Sequence, residues 1–152
     1  MPKINPAYIQ QVIAQTNQSP FPSHIGFRLV DIQEDFARVE LDLAHCHLQP
    51  YGIIHGGVLA TLIDTATFWA GFQRIPAEDG MVNVDLKLNY LKAVKSGKLI
   101  AEGRCLRPGR RLSYTEAHVR DESGQLVAHG TSSLMIVPGQ GLGLEIPKFL
   151  AD

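Results

Sequence analysis

At 152 residues and a formal net charge of −1, the chain can bury one core without metal or disulfide staples, and its charge gives no reason to expect nucleic acid or an acidic membrane as partner. Cys46 and Cys105 form no CxxC pair and no disulfide framework, which reads as two reduced, buried thiols. The opening Met1-Pro-Lys-Ile-Asn-Pro6 lacks the apolar run of a signal peptide, and no stretch approaches a membrane span, so a cytoplasmic protein is expected. One domain over 1–152 is expected, with 1–20 an N-terminal helix and linker and 138–152 a C-terminal tail.

Residues 5–16 place Tyr8, Ile9, Val12 and Ile13 on one helical face, with Asn5 before Pro6 as the cap. Ser19-Pro-Phe-Pro-Ser23 then reads as a helix breaker. Two strands follow at 25–33 and 36–43, with Glu34-Asp35 at the turn. In the second, Ala37, Val39, Leu41 and Leu43 alternate with Arg38, Glu40 and Asp42, the pattern of a half-buried edge strand. Residues 45–54 contain Pro50 and Gly52 and read as a loop.

From His55 to Phe72 the chain reads as a helix apolar on nearly every side, which must be buried by its own protein. From residue 81 the period becomes two: Val84, Leu86, Leu88 and Tyr90 alternate with Asn83, Asp85, Lys87 and Asn89. Further strands are expected at 97–107, 111–120 and 125–137, with turns at Ser96-Gly97, Pro108-Gly109 and Asp121–Gly124. Together with 81–90 they predict a four-stranded antiparallel meander. A helix this apolar needs a sheet curved around it, giving an α+β fold. The tail is expected to lie over the surface.

Asp64 stands out. A carboxylate among apolar residues carries a large desolvation cost unless it is paired, protonated or on a wet stripe of the helix, and no Lys or Arg lies within a helical turn of it. The functional reading is a carboxylate tuned for general-base or nucleophilic work. Gly56 and Gly57 open the same helix; poor helix formers there leave N-terminal amides accessible, where an oxyanion can be stabilised. His55 precedes them, and Gln49 lies six residues earlier. Singly, a histidine at this position reads as a cap or core residue.

Gln49, five residues, His55-Gly56-Gly57, six residues, Asp64, and then the strand Asn83–Tyr90 closely resemble the PaaI-like branch of hotdog-fold thioesterases over residues ~20–137. The resemblance implies a hotdog fold, a curved antiparallel sheet around one central helix, and hydrolysis of an acyl-CoA to free acid and CoA. It implies that the Gly56 amide holds the thioester carbonyl, that His55 and Gln49 orient it, that Asp64 activates water or attacks directly, and that Asn83 helps place the water. Relatives often carry a Ser or Thr one turn after the acid; here Phe68 stands there, with Thr67 beside it. Substrate contacts are implied for Gly57, Thr67 and Phe68 near the helix and for Tyr90, Leu91 and Lys92 at the strand end. Arg107, Gly109, Arg110 and Arg111 are implied for the turn that follows 97–107. Taken alone, these cations read equally as a solvated basic rim.

Gly56 and Asp64 stand eight residues apart on one helix, about 12 Å, too far for one thioester carbon to touch both. A two-fold dimer, or a dimer of dimers, with shared sites resolves this, and the resemblance implies the same. No cofactor is expected beyond the CoA of the substrate, and no metal: His45-x-His47 sits in a loop without a third ligand at usual spacing. Two other readings stand beside hydrolysis, a hotdog enoyl-CoA hydratase and a non-catalytic acyl-CoA sensor. Asp64 favours the hydrolase, since a sensor needs no acid opposite the amide.

Overall fold

The computed structural model describes residues 3–151, so the expectations for Met1, Pro2 and Asp152 lie outside the described residues. Helix α1 (Pro6–Gln18) begins as its sequence predicts: the Asn5 side chain accepts the Ala7 N–H at 3.0 Å, and Pro6 occupies a first-turn position that needs no N–H. The next segment corrects the sequence reading. Ser19 ends α1, but Pro20 then opens a second helix, α2 (Pro20–Ile25), which Gly26 closes at φ 85°. Prolines that stop one helix are suited to start another. Strand β1 (Arg28–Gln33) consequently starts three residues later than expected.

The sheet is antiparallel throughout and runs β1–β2–β5–β6–β7–β3, where β2 is Phe36–Asp42, β3 Gly80–Asn83, β5 Lys98–Arg107, β6 Leu112–Asp121 and β7 Leu126–Val137. Strand β2 buries Ala37, Val39 and Leu41 as predicted, yet it lies between β1 and β5 and is not an edge. The expected four-strand meander is also corrected. The segment 80–90 pairs with β7, not with β5, and it is interrupted: β3 and β4 (Lys87–Tyr90) meet β7 in registers offset by one residue. Val84 to Leu86 form the bulge, held by Ser132 Oγ on the Asp85 carbonyl and by the Ser133 N–H on Asp85 Oδ1.

Helix α3 (Gly56–Phe72) lies in the concave face of this sheet, the hotdog arrangement expected from the resemblance. Leu62, Ile63 and Ala66 are fully buried there, and each Leu or Ile so placed contributes about 1.5–3 kcal/mol. Close approach depends on one small residue. A Cβ at Gly103 on β5 would lie 2.1 Å from the Ala66 carbonyl oxygen, so only glycine lets the helix backbone settle on the strand.

The C-terminal segment is less superficial than expected. Lys148 is buried, donates to the carbonyls of Phe72 and Ile75 at 2.8 Å each, and sits 4.3 Å from the centre of the Phe72 ring. Burial pulls its ammonium down to about 8. The lysine thereby satisfies the last carbonyl of α3 and one in the turn after it, and ties the tail to the core. Of the cysteines, Cys105 is buried and its thiol is pushed up to about 11 by burial, whereas Cys46 is exposed, contrary to expectation.

Candidate functional site

The approach to α3 is built by a short 3₁₀ turn, His45–His47, and the loop after it. His47 is buried with both ring nitrogens engaged: Nδ1 accepts the Ala44 N–H at 3.0 Å and Nε2 lies 2.7 Å from the Ile25 carbonyl. The His47 carbonyl accepts the His55 N–H, and the Ile54 N–H bonds the Val94 carbonyl, fixing where the helix starts. His55 caps it: Nδ1 accepts the Gly57 N–H at 2.9 Å, which places the ring proton of the neutral form on Nε2. A Cβ on Gly57 would meet that Nδ1 at 2.9 Å. Gly57 is therefore the residue that admits the cap, and its amide is taken by that bond.

Gly56 remains. At the first helical position its N–H has no intrahelical carbonyl to bond. It lines a cavity of about 430 Å³ together with Gln49, Leu59, Tyr90, Leu91 and Lys92, so the structure gathers five of the predicted residues around one helix terminus. Tyr90 covers it: a Cβ on Gly56 would lie 2.8 Å from the Tyr90 ring. Gln49 Oε1 accepts the Tyr51 N–H within its own loop. Lys92 bonds Asp121 at 2.5 Å and also Gln125, and this pairing, first of all, holds the Asp121 carboxyl well below the usual range.

Asp64 faces elsewhere. It lines a cavity of about 300 Å³ with Val12, Phe21, Phe68, Trp69 and Leu142. Burial pushes its carboxyl above the ordinary aspartate value, and among the described residues no Lys, Arg or His lies within ion-pair distance of it. Asn83 stands behind the helix. Its Nδ2 donates to Ser132 Oγ at 3.1 Å and reaches the Asp64 carbonyl and Thr67 Oγ1 at 3.4 Å each; the contact is with the backbone of Asp64, not its carboxylate. Thr67 corrects another expectation. It is fully buried, and its hydroxyl donates to the Ile63 and Asp64 carbonyls, so it braces the helix and cannot touch a substrate. Phe68, half-buried, is the residue of that pair that faces the cavity.

The arginines lie apart. Arg107 ends β5, and Arg110 and Arg111 are exposed in the turn to β6, where Gly109 is required because a Cβ would fall 2.0 Å from the Leu112 carbonyl oxygen. This turn precedes Leu112, whereas Lys92 pairs with Asp121, the last residue of the same ten-residue strand. The two cationic regions are thus about 30 Å apart along β6. One chain does not bring them together around one CoA. The sequence reading missed three features: the Tyr90 ring over Gly56, the Lys148 anchor, and a convergence of Glu116, His118 and His129 on the outer face of the sheet. Only the last carried a signal, an alternation that puts Glu116 and His118 on one face of a strand.

A central helix wrapped by a curved antiparallel sheet is the hotdog class of fold. The chain belongs to the thioesterase superfamily, whose pattern matches residues 51–128, just over half of its length. It is a thioester hydrolase of the hotdog fold. It is 27% identical over 110 residues to the proofreading thioesterase EntH of Klebsiella pneumoniae, covering 72% of this chain and 80% of the relative. The thioesterase HI1161 of Haemophilus influenzae superposes with a TM-score of 0.82 at 24% identity, covering 95% of this chain and all of that one. The PaaI protein of the Escherichia coli phenylacetic acid degradation operon shares the fold at TM-score 0.77 and 20% identity, over 86% and 93% of the two chains.

Proposed function

We propose that the thioester is that of an acyl-CoA, and that Asp64 is the carboxylate that drives its hydrolysis. The observation that carries this reading is a half-buried carboxylate with no cationic partner among the described residues, its proton affinity raised by burial, facing an apolar cavity sized for part of an acyl group. Asp64 acts on the carbonyl carbon, either by taking a proton from water or by direct attack to an acyl anhydride that water then opens. In both routes the Gly56 N–H at the helix start receives the oxyanion, and the CoA thiolate leaves. His55 acts as a positioning residue, because its cap fixes the amides of the first turn. No metal or separate cofactor is required by this chemistry.

The acid and the amide open into different cavities of one chain. A shared site therefore joins the Asp64 cavity of one copy to the Gly56 cavity of another. The terminal strand β3 offers a docking edge, with Val82 45% exposed on it and Val84, in the bulge just after it, 51%. A hydrolysis screen over short, medium, long and aromatic acyl-CoAs tests the substrate class: turnover of at least one, lost in Asp64→Asn, is expected. Turnover confined to thioesters without CoA overturns it. Hydrolysis in ¹⁸O-water under single turnover tests the direct route: label in the Asp64 carboxylate establishes attack by Asp64 with the anhydride opened at the Asp64 carbonyl, because the general-base route leaves none there.

A further inference from the structure

The outer face of the sheet holds a cluster that thioester hydrolysis does not use. On β6 and β7, Ala117, Val119, Ala128 and Gly130 face inward and are buried, so Glu116, His118 and His129 point away from α3 and the Asp64 cavity. His118 and His129 are direct cross-strand partners with ring centres 4.5 Å apart. Glu116 precedes His118 by two residues on the same face, and its Oε2 lies 3.2 Å from His129 Nε2. One ligand atom from each of the three lies within 4.8 Å of the other two.

From this arrangement we infer that Glu116, His118 and His129 form a binding site for a divalent transition-metal ion of the zinc class. Two imidazoles and a carboxylate suit zinc and its neighbours in the first transition row, not calcium or magnesium, which prefer all-oxygen shells. Bonds of about 2.0–2.2 Å place tetrahedral ligand atoms roughly 3.5 Å apart, so closure requires side-chain rotation and no movement of backbone. The backbone is held on both sides, because β5 pairs with β6 and β4 with β7.

The surroundings are mixed in charge. Glu102 on β5 faces His118, Asn89 on β4 faces His129, and Arg104 on β5 faces Glu116. Arg104 opposes a cation, but its guanidinium lies over the Phe36 ring, on the β2 side. The three ligands leave a fourth position for water. A bound ion would tie β6 to β7 and stabilise the fold by mass action, without touching the thioester site.

The test uses the full chain, free of any affinity tag and stripped with chelator, titrated with Zn²⁺ by calorimetry and with Co²⁺ by visible absorption. About one ion per chain is expected, with a four-coordinate Co²⁺ spectrum, and affinity at least about tenfold weaker in His129→Gln and in Glu116→Gln. His45→Gln, exposed in the 3₁₀ turn, should leave binding unchanged. Absence of binding by the wild-type chain, or equal binding by the His118→Gln/His129→Gln double variant, overturns the site. Should a variant misfold, histidine ring NMR of the wild-type chain decides. Zn²⁺ shifts confined to His118 and His129 support the site; shifts only at other histidines, or none, overturn it.

Discussion

At the first turn of α3 the polar groups are already held by their own chain. The Gly57 amide is bonded to His55, the Gln49 side chain to Tyr51, and Lys92 to Asp121, while Tyr90 lies across Gly56. Two turns further along the same helix, Asp64 is half-buried beside aromatic and aliphatic side chains and is paired with no cation among the described residues. The first region is arranged, with its geometry set by local bonds. The second is charged at a cost, and that cost is what makes a carboxylate reactive near neutral pH. The proposed hydrolysis calls for both, a fixed donor and a destabilised base, and the two candidate groups stand on one helix but line different cavities.

The largest expected effect comes from neutralising the costly half. Asp64→Asn should lower kcat by about 10²–10⁴-fold, the usual contribution of a positioned base. The same change should raise the denaturation midpoint at neutral pH. Because the folded carboxyl titrates above the unfolded one, the folded state holds its proton over a window in which the unfolded state has released it, and stability falls as pH rises through that window. The gain from Asn should therefore vanish below the ordinary aspartate range, where both states are protonated. Wild-type kcat should fall toward acid along a limb displaced above that range. Chemical denaturation and rate profiles across pH check both, and an Asn variant that is neither slower nor more stable breaks the contrast between the two regions.

The contrast also predicts complementation. Gly56→Val drives a side chain into Tyr90 and damages the donor half alone. Mixed at random in equal amounts with Asp64→Asn chains, half of the dimers are mixed, each with one intact and one doubly damaged site, so about a quarter of full activity should return. No recovery, with subunit exchange proven by mass, would place both groups in a single chain's site.

How far each region could be read from sequence follows the same division. The α3 core, the strands 98–137 and the spacing from His55 to Asp64 were legible because period and motif are local properties. The sheet order was not: nothing in 81–90 says that it pairs with β7 and leaves β2 to pair with β5, since that is settled by where the chain emerges after α3. The bulge at 84–86 was hidden because its apolar alternation continues through the irregularity. Roles along α3 are not legible where two functions share a residue type. Gly57 was read as an open amide and is the space for a histidine cap; Thr67 was read as a substrate contact and is a buried brace. Asp64 was legible because a lone charge on an apolar helix needs no tertiary knowledge to be noticed.

The smallest effect concerns the arginines, which sharpen the comparison by adding a third place. They lie about 30 Å along β6 from Lys92, so a CoA gripped by Arg110 and Arg111 cannot at the same time use the Lys92 region of the same chain. A grip of this kind is binding that ground and transition states share equally, which would appear in KM and not in kcat. Exposed charge contacts are each worth about 0.2–1 kcal/mol, so Arg110→Ala combined with Arg111→Ala should raise KM for acyl-CoA about two- to thirtyfold. The difference should shrink as salt shortens the screening length below about 8 Å. An acyl-pantetheine substrate, which lacks the nucleotide phosphates, should not register the change. Equal impairment of both substrates would mean that the arginines shape the turn and that the nucleotide is held elsewhere.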